Sequence, residues 1–162
     1  MERAFPLRDA WAFDVVGHKG LKWLMVAFWV LCVALRPLRR GALYMAVIAA
    51  VVVTLKQYSP YSCPWDLFEY GGTKPDTGRC LPAGHPLVGF ALFGLCLALW
   101  EKRRGAAYVA LSAALLIGFL AGAIQVARGA HFPSHVLWTA WVAWAVTLAL
   151  AALAPAVARW RA

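Results

Sequence analysis

The stretch GAIQVARGAHFPSHVLWTA, residues 122–140, sets Arg128, His131 and His135 close together between two long apolar blocks. Polar side chains beside a membrane core are costly unless something uses or satisfies them. Lys56 closes another apolar block, and His85 stands directly before Pro86, where a further block opens. Proline is favoured at the first helical position, so His85, like the pair around Pro133, borders a helix N-terminus. The free N–H groups and the dipole there attract an anion. Lys56 and Arg128 add positive charge, and imidazoles can act as nucleophiles or move protons. Together these residues describe a site for a phosphate-like group, assembled at one face from separate helix ends.

Taken singly, the same residues have plainer readings. A lone interfacial Lys or Arg ordinarily anchors by snorkelling, and Lys56 alone reads that way. A lone interfacial histidine is satisfied by a carbonyl or a water, which is the reading for His18. The spacing of His131 and His135 suits a helix face, but Pro133 marks the helix start and leaves His131 outside it. No Cys-x-x-Cys or closely spaced Cys/His set occurs in the sequence, so no metal site is expected. Three histidines and two cations at corresponding helix ends exceed what anchoring requires.

The elements that must hold these groups are membrane helices. The chain has 162 residues, is 63% hydrophobic and carries nine tryptophans, a composition outside the range of soluble globules. One domain over 1–162 is expected. Apolar segments run over about 21–35, 41–55, 85–100, 105–127 and 134–158. The formal net charge of +9 is concentrated in short breaks: Arg36, Arg39 and Arg40, then Lys102, Arg103 and Arg104, then Arg159 and Arg161. That distribution follows the positive-inside rule and argues against nucleic acid as a partner. Residues 1–20, 56–84 and 128–133 then fall on the outer side, with the acids Glu2, Asp9, Asp14, Asp66, Glu69 and Asp76. The fold class is an all-α polytopic bundle of about five transmembrane helices.

An outer N-terminus must be translocated, yet residues 1–20 contain no apolar core resembling a signal peptide. Either a membrane helix upstream of Met1 is missing from the gene model, or the protein inserts unaided. Leu7, Trp11 and Val15 recur at helical spacing, so this segment is expected to lie in the interface as an amphipathic helix. The long outer loop carries Pro60, Pro64, Gly71, Gly72, Pro75, Gly78 and Pro82, too many turn formers for regular structure. Cys63 and Cys80 both lie in it, and an oxidising compartment favours a disulfide between them. Cys32 and Cys96, within apolar segments, read as inert small hydrophobes.

In order, spacing and placement, these residues resemble the type 2 phosphatidic acid phosphatase family of membrane lipid phosphatases. Its motifs K-x6-R-P, P-S-G-H and S-R-x5-H-x3-D correspond to KQYSPYSCP (56–64), PAGH (82–85) and IQVARGAHFPSH (124–135). The resemblance spans 56–135, and the remaining helices suit the family's six-helix bundle without its first. It implies that His131 is the nucleophile forming a phospho-histidine and that His85 is the general acid. It also implies that Lys56, with Gly84 and Gln125, contacts the phosphate, and that neither metal nor other cofactor is needed. Several positions depart from the family pattern. Cys63 stands in place of an arginine, Ala83 in place of a serine, Gln125 in place of the second arginine and His135 in place of an aspartate. Arg128, one turn beyond Gln125, is expected to supply the lost guanidinium. His135 is expected to orient His131, with Asp66 as an auxiliary candidate if the loop folds over the site.

The function expected is a lipid phosphate or diphosphate phosphatase, or a phosphotransferase, at the periplasmic face of a bacterial inner membrane. Its partners are a lipid phosphate substrate and membrane lipids. Two alternatives stay open: a membrane thiol oxidoreductase that passes electrons to quinone, and a catalytically degenerate binder of lipid phosphates.

Overall fold

The apolar segments form helices whose ends coincide with the glycine, proline and arginine breaks between them. The computed structural model describes residues 5–72 and 78–159, with side chains through 153. Pro75, Asp76, Glu2 and Arg161 lie outside the described residues. The helices are α1 (Ala12–Ala34), α2 (Arg39–Gln57), α3 (Leu87–Leu99), α4 (Arg104–Ala127) and α5 (Pro133–Arg159). No strand occurs among the described residues. Four helical stretches are long and apolar enough to cross a membrane: Ala12–Ala34, Arg36–Gln57, Arg104–Ala127 and Pro133–Leu153. Their outward faces carry large apolar side chains such as Trp23, Leu43, Leu116 and Trp141, as lipid contact requires.

The short helix α3 is the centre of the bundle. Leu87, Phe90, Leu92, Phe93, Leu95 and Cys96 are all buried. A side chain is therefore apolar on every side of this helix, and it has no amphipathic stripe. Backbones approach it closely where side chains are absent. A Cβ on Gly89 would lie 2.0 Å from the Gly118 nitrogen of α4, and one on Gly94 would lie 2.7 Å from the Met45 nitrogen of α2. These glycines clamp α3 between α2 and α4, so that His85, just ahead of Pro86, is held at a fixed height.

The N-terminal segment departs from expectation. Residues Ala12–Gly20 do not form a separate interfacial helix; they run without a break into Leu21–Ala34. They wind in wide turns, the Leu21 N–H reaching the Val16 carbonyl five residues back. The amphipathic pattern misleads here because Trp11 and Val15 do face outward, while the opposite side packs on protein. Gly17 is buried, and a Cβ on it would meet the Ile124 side chain of α4 at 3.0 Å.

The outer loop holds single turns of 3₁₀ helix at Pro64–Asp66 and Phe68–Tyr70. Cys63 and Cys80 are joined by a disulfide. The Trp65 N–H donates to the Gly129 carbonyl (3.0 Å) and fastens the loop beside the α4–α5 turn. That turn ends α4 with a left-handed Gly129, φ 75°. The Gly129 N–H bonds the Val126 carbonyl and the Ala130 N–H bonds the Gln125 carbonyl. This is the paired bonding of a Schellman C-cap. It reverses the chain between Arg128 and His131, and Pro133 then opens α5.

Candidate active site

Two groups of polar side chains meet at the end of the bundle formed by the α2 C-terminus, the Pro82–Pro86 turn and the α4–α5 turn. The first surrounds Lys56. Its Nζ lies 3.4 Å from where a Cβ on Gly84 would stand, so the ammonium rests in contact distance of that turn. His131 and His135 are both buried, with their rings edge to face at 5.8 Å. The α5 start is tied to the Pro82–His85 turn by the Ala83 N–H, which donates to the His135 carbonyl (3.2 Å). Thr139 Oγ1 closes the same connection, 2.8 Å from the Ala83 carbonyl and 2.9 Å from the His135 carbonyl. Thr139 carries no family motif and was not legible as a site residue; its signal is a buried hydroxyl one turn after His135.

His131 Nδ1 lies 3.2 Å from Cys80 Sγ. A disulfide sulfur has no proton to give, so the imidazole contributes the hydrogen at Nδ1 and keeps its lone pair on Nε2. Burial, and next the positive charge of Lys56, push the His131 pKa down to about 3. The ring is therefore a neutral imidazole near pH 7. His135 differs from the orienting role expected of it. The His131 nitrogen it was to hold faces sulfur instead, and His135 Nδ1 is buried without a hydrogen-bond partner. The donor atoms of Cys63, Cys80 and His131 lie within 4.8 Å of one another. Chain spacing gave no sign of that cluster. While the two sulfurs are bonded to each other, neither is a thiolate ligand.

The second group surrounds Arg128, and here the geometry departs further from expectation. Arg128 is buried and turns toward the N-terminal segment. Its Nη2 pairs with Asp14 Oδ1 at 2.7 Å and its Nε donates to the Arg8 carbonyl at 3.0 Å. Nη1 lies 2.5 Å from His18 Nδ1 and 3.4 Å from Gln125 Oε1. Four of its five N–H groups thus meet protein acceptors, so in this state it acts as a clamp rather than a free phosphate ligand. Gln125 is engaged with it, its Nε2 buried and unpaired. His18 is not the isolated interfacial histidine the sequence suggested. Its ring lies 4.5 Å from that of His85, and His85 Nε2 is 3.1 Å from the Gly17 carbonyl. His85 stands between the two groups, with a pKa lowered to about 4 by burial, which the Gly17 carbonyl opposes. Asp66 stands on the turn that Trp65 fastens beside Gly129.

A family model, the PAP2 superfamily, matches residues 37–159. The chain belongs to the PAP2 superfamily. Its members are phosphatases, which places the protein among hydrolases of phosphate esters, and its long apolar helices make it a multi-pass membrane protein. No curated protein and no solved structure matches the chain. The PAP2 match includes Lys56, His85, Arg128, His131 and His135, whereas Asp14, Gly17 and His18 precede it.

Proposed function

We propose that this chain is a lipid phosphate or diphosphate phosphatase, or phosphotransferase, that works through a phospho-histidine on His131. The observation that carries this reading is a buried, neutral His131 that feels the charge of Lys56, its Nδ1 turned to the disulfide. In the first step Nε2 attacks phosphorus, the bond to the leaving lipid oxygen breaks, and that oxygen takes up the proton of the substrate monoanion, relayed through His85. Lys56 holds the non-bridging oxygens as charge builds on them. In the second step water, deprotonated by His85, attacks phosphorus, the P–N bond breaks, and phosphate leaves with that proton, restoring both His131 and neutral His85. An acceptor alcohol in place of water makes the reaction a phosphotransfer. The positive charge comes from protein groups, and no step calls for a metal. The Arg36–Arg40 and Lys102–Arg104 clusters sit at the opposite helix ends. This supports an active site at the periplasmic face of a bacterial inner membrane.

Purified protein in mixed micelles tests the reading by release of inorganic phosphate. The panel comprises polyprenyl diphosphates, phosphatidyl phosphates and p-nitrophenyl phosphate. Release from at least one lipid member is expected; no release from any substrate would refute it.

The pH dependence follows from the two imidazoles. With His131 lowered to about 3 and His85 to about 4, both are neutral at pH 7. The proton for the leaving group must then arrive with the substrate monoanion, whose second pKa is about 6. Below that value the monoanion brings the proton; above it the dianion does not. On the acid side, His131 stays unprotonated until about pH 3. We expect kcat/KM to be level between about pH 4 and 6 and to fall about tenfold per unit above that. A thiophosphate ester, with its lower second pKa, shifts the falling limb to lower pH. A bell centred on the ordinary histidine value would contradict the assignment.

The disulfide separates this reading from thiol redox chemistry. Cys63 and Cys80 are 17 residues apart, and closing a loop of that size stabilises by about 3 kcal/mol. Changing both to serine is expected to lower the unfolding midpoint while phosphate release persists. An oxidoreductase would lose all activity.

A further inference from the structure

The segment ahead of the family match is bound to the site by groups the mechanism has not yet used. We propose that residues 14–18 form part of the active site: the Gly17 carbonyl fixes the orientation and tautomer of His85, and the Asp14–Arg128 ion pair holds that carbonyl in place. Asp14 is thereby a positioning residue. This rests on the reading of His85 as the general acid.

Asp14 is held at both oxygens, Oδ1 by Arg128 and Oδ2 by Lys19 at 2.6 Å. A carbonyl oxygen only accepts, so His85 Nε2 carries the hydrogen directed at Gly17. Nδ1 therefore keeps its lone pair in the neutral ring, takes the proton from the substrate monoanion and passes it to the leaving group, and only one edge of the ring faces the chemistry. A guanidinium only donates, so His18 Nδ1 is the acceptor of Arg128 Nη1, and the His18 hydrogen sits on Nε2. The His18 ring, tilted 54° against that of His85, resists rotation of the acid about its own side chain. Gly17 reaches His85 because its backbone lies directly on Ile124, where a Cβ would meet side-chain carbons at 3.0 and 3.1 Å. The whole arrangement hangs on Arg128, which gathers the Arg8 carbonyl, Asp14 and His18 from the segment onto the end of α4. Asp14 is the carboxylate paired with that buried cation. Removing it leaves an uncompensated buried charge, and the segment keeps only the Arg8 carbonyl and His18 contacts to Arg128.

General acid catalysis matters for a poor leaving group and little for a good one, which provides a readout that general loosening does not imitate. Asp14→Ala is compared with wild type on a long-chain alkyl phosphate, whose alkoxide needs a proton, and on p-nitrophenyl phosphate, whose phenolate does not. The expected result is a loss of about 10²-fold in kcat/KM on the alkyl ester, with the nitrophenyl ester changed by less than about threefold. His85→Ala should show the same split in kcat/KM, which reports the first step, while its kcat falls on both esters because the same ring deprotonates water in the second. The double variant should lose no more on the alkyl ester than His85→Ala alone, because both act through one proton transfer. Asp14→Glu, which restores the charge, should recover part of the loss. Equal losses on both esters, or no loss on either, would overturn the proposal. So would a double variant whose losses multiply. If His85→Ala shows the split and Asp14→Ala does not, the positioning role alone falls. If wild type releases phosphate from neither ester, the functional reading falls and takes this inference with it.

Discussion

His131→Ala should reduce phosphate release by at least about 10⁴-fold on every substrate, whatever its leaving group. The effect is large because the ring supplies the bond-forming atom, and alanine leaves no neighbour to replace it. His135 is close but edge-on at 5.8 Å, and His85 is directed at the Gly17 carbonyl. Substrate independence is the informative part. A nucleophile is required for alkyl and nitrophenyl esters alike, whereas a general acid is required mainly for the first. Comparing kcat/KM for the two ester classes, which reports the transfer to His131 alone, therefore separates the roles of His131 and His85 within one experiment. A residual rate within about tenfold of wild type would remove His131 from the reaction.

Lys56→Met should cost about 10²- to 10³-fold in kcat, with a smaller rise in KM. In many sites such a deletion is softened by neighbouring cations, but here the alternatives are spent. The first motif has Cys63 where its arginine would stand, and that cysteine is bonded to Cys80. Arg128 has most of its donors on Arg8, Asp14, His18 and Gln125. Among the described residues, Lys56 is the cation with the strongest bearing on His131. Methionine keeps the apolar stem and its packing over Gly84 while deleting the charge. Steady-state kinetics, together with inhibition by vanadate as a trigonal phosphate mimic, measure the loss. If kcat stays within about threefold of wild type, Arg128 or another group must reach the phosphate after all, and the division of labour drawn here would be wrong.

The parts of this site legible in the sequence are those encoded by local chain chemistry. Pro86 and Pro133 mark helix starts, Gly129 permits the left-handed turn, and the apolar blocks set the helix lengths. Positions such as His85 and His131 follow from them, because each lies a fixed few residues from a helix end. What was not legible depends on long-range closure. Arg128 meets Asp14 and His18 across more than a hundred residues of chain. Hydropathy could place both ends of that contact at one face but could not say which way the guanidinium turns. The wide winding of Ala12–Gly20 also defeats a helical-wheel reading, since five-residue hydrogen bonding shifts which side chains share a face. The approach of Cys80 to His131 is of the same kind. It arises when the disulfide and the Trp65–Gly129 hydrogen bond fold the loop onto the α4–α5 turn. The orienting role expected of His135 failed for that reason, as sulfur occupies the position beside Nδ1.

The central claim, that phosphate passes through His131, is tested most directly by trapping the intermediate. Purified wild-type protein is mixed with a ³²P-labelled lipid phosphate, quenched in alkali within the first turnover, and its phosphorylated peptide mapped. The account predicts a phosphoryl group that survives alkali, is released by acid, maps to His131 and is absent from His131→Ala. Turnover of the same substrate with no labelled protein at any quench time, or label on another residue, would contradict it.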